Sequence, residues 1–190
     1  FLKYGFKSVT MSDISKELGI SKKTLYQSVE NKDDLINKVI LNHISEEKEV
    51  ITGIIETSQD AIDEIFQVST YMNQMLKRVN PSAIFDLRKY YRTAWDIIQE
   101  FNDGYIYTMI KRNIQRGMSE GLYRNDIRPD IVAKLYLGMS QLITDPDVFP
   151  YPEYNQAELH LICLDHHLRG LIKPEAQNII KQYEKATKSK

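Results

Sequence analysis

The chain has 190 residues, 42% of them hydrophobic, which fits one or two domains and is ample for a core. Its formal charge of −1 supplies no global attraction to nucleic acid, so any such role must rest on a local surface. The one cysteine, Cys163, excludes an intrachain disulfide and fits a reducing cytoplasm; no apolar run approaches the roughly 18 residues of a membrane span, and no signal-peptide pattern occurs.

Period-3.6 patterns dominate and no run of alternating strand residues stands out. The opening FLKYGF reads as the last turn of a helix ended by Gly5, so a natural N-terminal segment is expected before Phe1. Thr10 with Asp13 predicts a capping box for a first short helix, in which Ile14 and Leu18 share a face. Gly19 stops that helix, and Ser21 caps a second whose inward residues are Leu25 and Val29. Two helices joined so tightly must cross steeply. This is helix-turn-helix geometry, with a second helix able to enter a major groove.

Asn31 caps a longer helix from Lys32 to about Ile55, with Asp33 and Asp34 at its positive end. The next runs from Asp60 to Val79, with Ile62, Ile65, Phe66, Ser69, Met72, Leu76 and Val79 along one side. Asn80-Pro81 is a stop and a start, followed by an aromatic-rich segment to Phe101. A helix from Asn102 to Glu120 ends at Gly121, and Pro129 opens one through Ile143. The proline-rich DPDVFPYPEY reads as a rigid loop. Asn155 caps a helix to about Gly170, Pro174 starts the last, and the tail KATKSK is expected to fray. The chain is therefore all-α, with a helix-turn-helix unit (1–45, first helix truncated) joined to a larger helical body (46–190).

For DNA binding the second helix must present donors outward, and Lys22, Lys23, Thr24, Tyr26 and Gln27 occupy its exposed positions. Lysines neutralise phosphates, hydroxyls reach phosphate oxygens, and Lys or Gln can read base edges. Lys32, at the start of the next helix, adds a phosphate candidate. From Ser21 to Lys32 three lysines stand against Glu30, a local excess on a slightly acidic chain.

The stretch GFKSVTMSDISKELGISKKTLYQSVENKDDLI resembles the N-terminal domain of the TetR family of bacterial transcriptional regulators. The matching features are Gly-Phe ending the first helix, Val-Thr before the second, Gly-Ile-Ser at the turn, Thr-Leu-Tyr in the recognition helix and Asn-Lys-Asp-Asp-Leu opening the fourth. The resemblance implies contacts to bases or backbone from Ser12, Ser21, Lys22, Lys23 and Thr24, and to phosphates from Tyr26 and Lys32. Gln27 is a further base-reading candidate. Ser28-Val29 stands where the family often has an aromatic pair. The family also implies a cytoplasmic homodimer on a palindromic double-stranded operator, most often a repressor released by a small-molecule effector.

In the body, Leu161, Leu164, Leu168 and Leu171 form a stripe at i, i+3, i+7 and i+10, expected at the dimer interface. Phe85, Tyr91, Trp95, Tyr105, Met109, Tyr136 and Met139 are expected to line an apolar effector pocket, with Arg88 or Gln141 orienting a polar group. His160, Cys163 and His167 share a helix face without a fourth ligand and read as a packing surface, so no metal or cofactor is expected. An enzyme using that His/Cys cluster is the competing class, but no nucleophile elbow, Gly-rich phosphate loop or HExxH supports it. A third reading is an interaction module whose helix-turn-helix no longer binds DNA.

Overall fold

The computed structural model describes residues 1–176. Among them the helices are α1 (Met11–Glu17), α2 (Lys22–Ser28), α3 (Lys32–Thr57), α4 (Ala61–Leu76), α5 (Pro81–Tyr90), α6 (Arg92–Phe101), α7 (Tyr107–Ser119), α8 (Pro129–Leu142) and α9 (Gln156–Leu171). A π-helical turn, Asn102–Ile106, leads into α7. A 3-10 turn, Pro174–Ala176, follows α9; the rest of the last helix expected from Pro174 and the KATKSK tail lie outside the described residues.

Capping decides most of the boundaries. Asp60 accepts from the N–H groups of Ile62 and Asp63, Asn80 from Ser82, and Asn155 from Ala157 and Glu158. Gly121 adopts φ +77° just past α7, which a side chain would resist. One boundary has no sequence signal. The aromatic segment breaks into α5 and α6 at Tyr91 (φ −125°, ψ 68°), whose hydroxyl donates to the Phe6 carbonyl and whose ring packs on that of Phe6. A tertiary contact stops the helix here.

The residues group into two compact units. One comprises 1–48 and 78–101, the other 49–77 and 102 onward. Helices α5 and α6 thus group with residues 1–48. They join the N-terminal unit because Asn80 N–H donates to Leu2 O at 2.8 Å and Lys7 N–H donates to Asp86 Oδ2 at 2.8 Å.

In the larger unit, α4 packs on α7 and α9, and α8 packs on both of those helices. Polarity would put Glu64 outside, yet it is fully buried. Arg116 Nη1 meets its carboxylate at 2.9 Å and Arg112 Nη2 at 3.3 Å, so the charge enters the core paired. Arg116 also binds Ser58 Oγ and Glu120, and Glu120 accepts from Ala61 N–H. This network fastens the start of α4 to α7.

The leucine stripe needs correction. Leu164, Leu168 and Leu171 are buried in this unit's own core, and only Leu161 is exposed. Burying each such side chain contributes about 1.5–3 kcal/mol, and α4 and α8 already supply the partner surface. On α8 the apolar residues left outside are Ile131, Leu135 and Leu142, and on α9 they are Leu161 and Ile162. Ile131, Leu135 and Leu142 recur at i, i+4 and i+11, a stripe legible in the sequence had the inward face been known first.

His160, Cys163 and His167 do lie on a packing surface. His160 Nε2 meets Ser69 Oγ at 3.0 Å, and the His167 ring stacks on Tyr136 with centroids 3.9 Å apart. Burial, with help from His166, pulls His167 down to about 4, so its ring is neutral near pH 7.

Candidate nucleic-acid interface

The frame of the site is a set of backbone caps. Thr10 Oγ1 accepts from Asp13 N–H at 3.2 Å while Asp13 Oδ2 accepts from Thr10 N–H at 2.8 Å, the reciprocal box that the sequence predicts. The Thr10 hydrogen bonds hold the Asp13 carboxyl below the usual carboxylate range. At the other end of α1, Gly19 sits at φ +64°. Ile20 N–H bonds Ser15 O at 3.0 Å and Gly19 N–H bonds Lys16 O at 3.2 Å, a Schellman closure. Ser21 Oγ then accepts from Thr24 N–H at 3.0 Å and starts α2. The chain passes from α1 to α2 within four residues.

Met11, Leu25 and Val29 form the small core of this motif, with Ile14 and Leu35 packed against it. Leu18 does not join Ile14 there. It is 61% exposed, because it is the C-cap and the closure at Gly19 turns it outward. Val29 fills the inward position despite the missing aromatic pair, as expected.

The start of α3 is equally defined. Asn31 Oδ1 accepts from Asp34 N–H, and Asp34 Oδ2 accepts from Glu30 N–H, both at 2.9 Å. Lys38 Nζ bridges Asp34 and the Ser28 carbonyl at the end of α2. It thereby ties α3 to the recognition helix through one of that helix's orphan carbonyls.

On this frame Ser12, Ser21, Lys22, Lys23, Thr24, Tyr26 and Gln27 are exposed. Ser21 and Thr24 share a hydroxyl–hydroxyl bond of 2.8 Å at the start of α2. Lys32 differs from the rest. It is half-buried, donates from Nζ to the Lys7 carbonyl at 3.2 Å, and lies 5.6 Å from the Tyr91 ring centroid. The surface offers ammonium, hydroxyl and amide donors from one short helix, with Leu25 and Val29 as its anchors.

The residues expected to line a pocket are divided between the two units. Met109 and Tyr136 are buried in the core of the larger unit, and Tyr105 and Met139 pack against that core. Phe85, Arg88, Tyr91 and Trp95 belong to the N-terminal unit. Sequence reasoning also passed over Lys7, Lys89 and Tyr90, although Arg78 to Arg92 carries four basic side chains against Asp86 alone.

Comparison with known proteins agrees with this geometry. Residues 1–39 match the family described as "Bacterial regulatory proteins, tetR family". The chain is 28% identical over 150 residues to YvaF of Bacillus subtilis, an uncharacterized HTH-type transcriptional regulator, covering 78% of this chain and 76% of that one. Among solved structures, reduced NemR of E. coli shares the fold with a TM-score of 0.73 at 11% identity, over 91% of both chains. FadR of Bacillus subtilis, in complex with stearoyl-CoA, gives 0.67 at 17% identity, over 89% of this chain and 92% of that one. The first 39 residues therefore carry the N-terminal domain of the TetR family of bacterial regulators, and the chain shares its fold with NemR and FadR along most of its length.

Proposed function

We propose that the protein is a repressor that binds a palindromic operator as a homodimer and leaves it when a small-molecule effector occupies the larger unit. The observation that carries this reading is the exposed donor face of α2, held at a fixed angle by the Gly19 closure and the Ser21 cap. A single copy presents one recognition helix, and a palindromic site requires two, spaced ~34–36 Å apart. The exposed apolar residues of α8 and α9 support pairing there. The likeness in fold to FadR of Bacillus subtilis, solved in complex with stearoyl-CoA, supports effector capture in the larger unit. An effector that prefers one spacing of the two recognition helices shifts the population toward it, and α3, which contributes residues to both units, carries the change.

Selection of bound sequences from random duplex DNA, followed by footprinting, tests the core of this reading. Symmetric half-sites are the expected result; a single asymmetric footprint would count against a dimer. Lys23 and Gln27 lie one turn apart on α2, so both can point into the same groove. Lys donates to guanine O6 and N7, and Gln pairs with adenine N6 and N7. Gln27→Ala is expected to cost roughly 1–3 kcal/mol at one base position and to relax preference there only. Unchanged base preferences in both Lys23→Ala and Gln27→Ala would shift specificity to DNA shape.

Lys32→Ala is expected to weaken binding to every duplex alike and make the salt slope shallower by about one unit. A loss confined to the operator would make Lys32 a base reader instead.

A further inference from the structure

The compact unit that carries α1 and α2 also contains α5, and the end of α5 meets the segment before α1. The bond from Lys7 N–H to Asp86 fixes that meeting. It sets the Lys7 ammonium 4.1 Å from the Tyr90 ring centroid, while the Lys89 ammonium lies 5.5 Å from the same ring and 5.1 Å from that of Phe85. Lys7, Lys89 and Tyr90 are all exposed. A hydrogen bond from Lys7, reinforced by the charges of Lys7 and Lys89, holds the Tyr90 hydroxyl below the usual phenol range.

Two ammonium groups gathered on one ring repel each other, although the ring face attracts each. The nearby acid, Asp86, is buried and accepts from the Lys7 backbone. Arg92, further along, already pairs with Asp96 at 3.0 Å. The local field is therefore positive at an exposed phenol, an arrangement that a bridging anion relieves. Its position suggests which anion. Lys32, the lysine that the family motif aligns with a phosphate, donates to the Lys7 carbonyl, so the two ammonium-bearing residues are neighbours.

We propose that Lys7, Lys89 and the Tyr90 hydroxyl hold a phosphodiester of the DNA backbone flanking the bases that α2 reads. The contact extends the interface from the helix-turn-helix onto α5. It rests on the operator-binding reading above, and it concerns affinity and register, because a phosphate carries no base identity.

The test is the full-length double variant Lys7→Gln/Lys89→Gln, titrated with salt against the selected operator and an unrelated duplex. Losing one phosphate contact should make the slope shallower by about one unit on both duplexes, with base preferences and circular dichroism unchanged. Trimming the operator flank until that phosphate is absent should produce the same loss in the wild type and none in the variant. A slope equal to the wild type's, or a variant as sensitive to trimming as the wild type, overturns the proposal. Those results leave operator binding intact. If the wild type itself bound no duplex in a salt-dependent way, the operator reading would fall and this inference with it.

Discussion

Gly117→Ala is expected to destabilise the protein by about 2–4 kcal/mol, the opposite of what helix propensity implies. Gly117 lies inside α7, where alanine is intrinsically better by about 1 kcal/mol. A Cβ built there, however, falls 2.2 Å from Tyr123 Cδ2, 2.4 Å from Cε2 and 2.6 Å from Cγ. The ring cannot swing aside cheaply. Tyr123 is fully buried, and its hydroxyl donates toward Ala61 O and Asn113 Oδ1, each at 3.3 Å. Moving it strands a buried hydroxyl, which costs about 1–3 kcal/mol besides the overpacking. Gly53→Ala is the control, since nothing lies within 4 Å of a Cβ at that position in α3. Denaturant unfolding should show Gly53→Ala neutral or slightly stabilised and Gly117→Ala strongly shifted down. Equal midpoints would mean that Tyr123 does not pack on that glycine.

The second large effect concerns assembly. Leu135→Glu combined with Ile162→Glu should give folded monomers by sedimentation and lower operator affinity by roughly 10²–10⁴-fold, the loss of a bivalent grip. Leu135 and Ile162 are 61% and 59% exposed in the single chain, so neither substitution disturbs the protomer core. At a dimer interface the same glutamates bury unpaired charge. Leu164→Glu makes the contrast. That leucine is 4% exposed within its own chain, so glutamate there should unfold the protein rather than merely separate two copies. A double variant that remained dimeric would move the interface off the outer faces of α8 and α9.

The sequence by itself determined most of what rests on local chemistry. The Thr10–Asp13 box, the Gly19 stop, and the Ser21 and Asn155 caps all act within a few residues, so their patterns can be read in order along the chain. The donor face of α2 follows from the same locality, because seven residues and two inward anchors fix which side chains point out. The family signature lies in that stretch as well.

Only the tertiary structure decided what depends on distant partners. Which side of α9 faces inward was open, because a leucine stripe serves a protomer core and a dimer interface equally; α4 and α8 settled it. Glu64 reads as a surface residue until Arg112 and Arg116, 48 and 52 residues away, are brought to it. The grouping of α5 with the DNA-binding unit rests on the Lys7–Asp86 bond, between residues 79 apart. With it went the division of the expected pocket residues and the cationic cluster at Tyr90. Periodicity says that a helix has a buried face and locates the stripe, but the identity of the covering surface is a property of the folded chain.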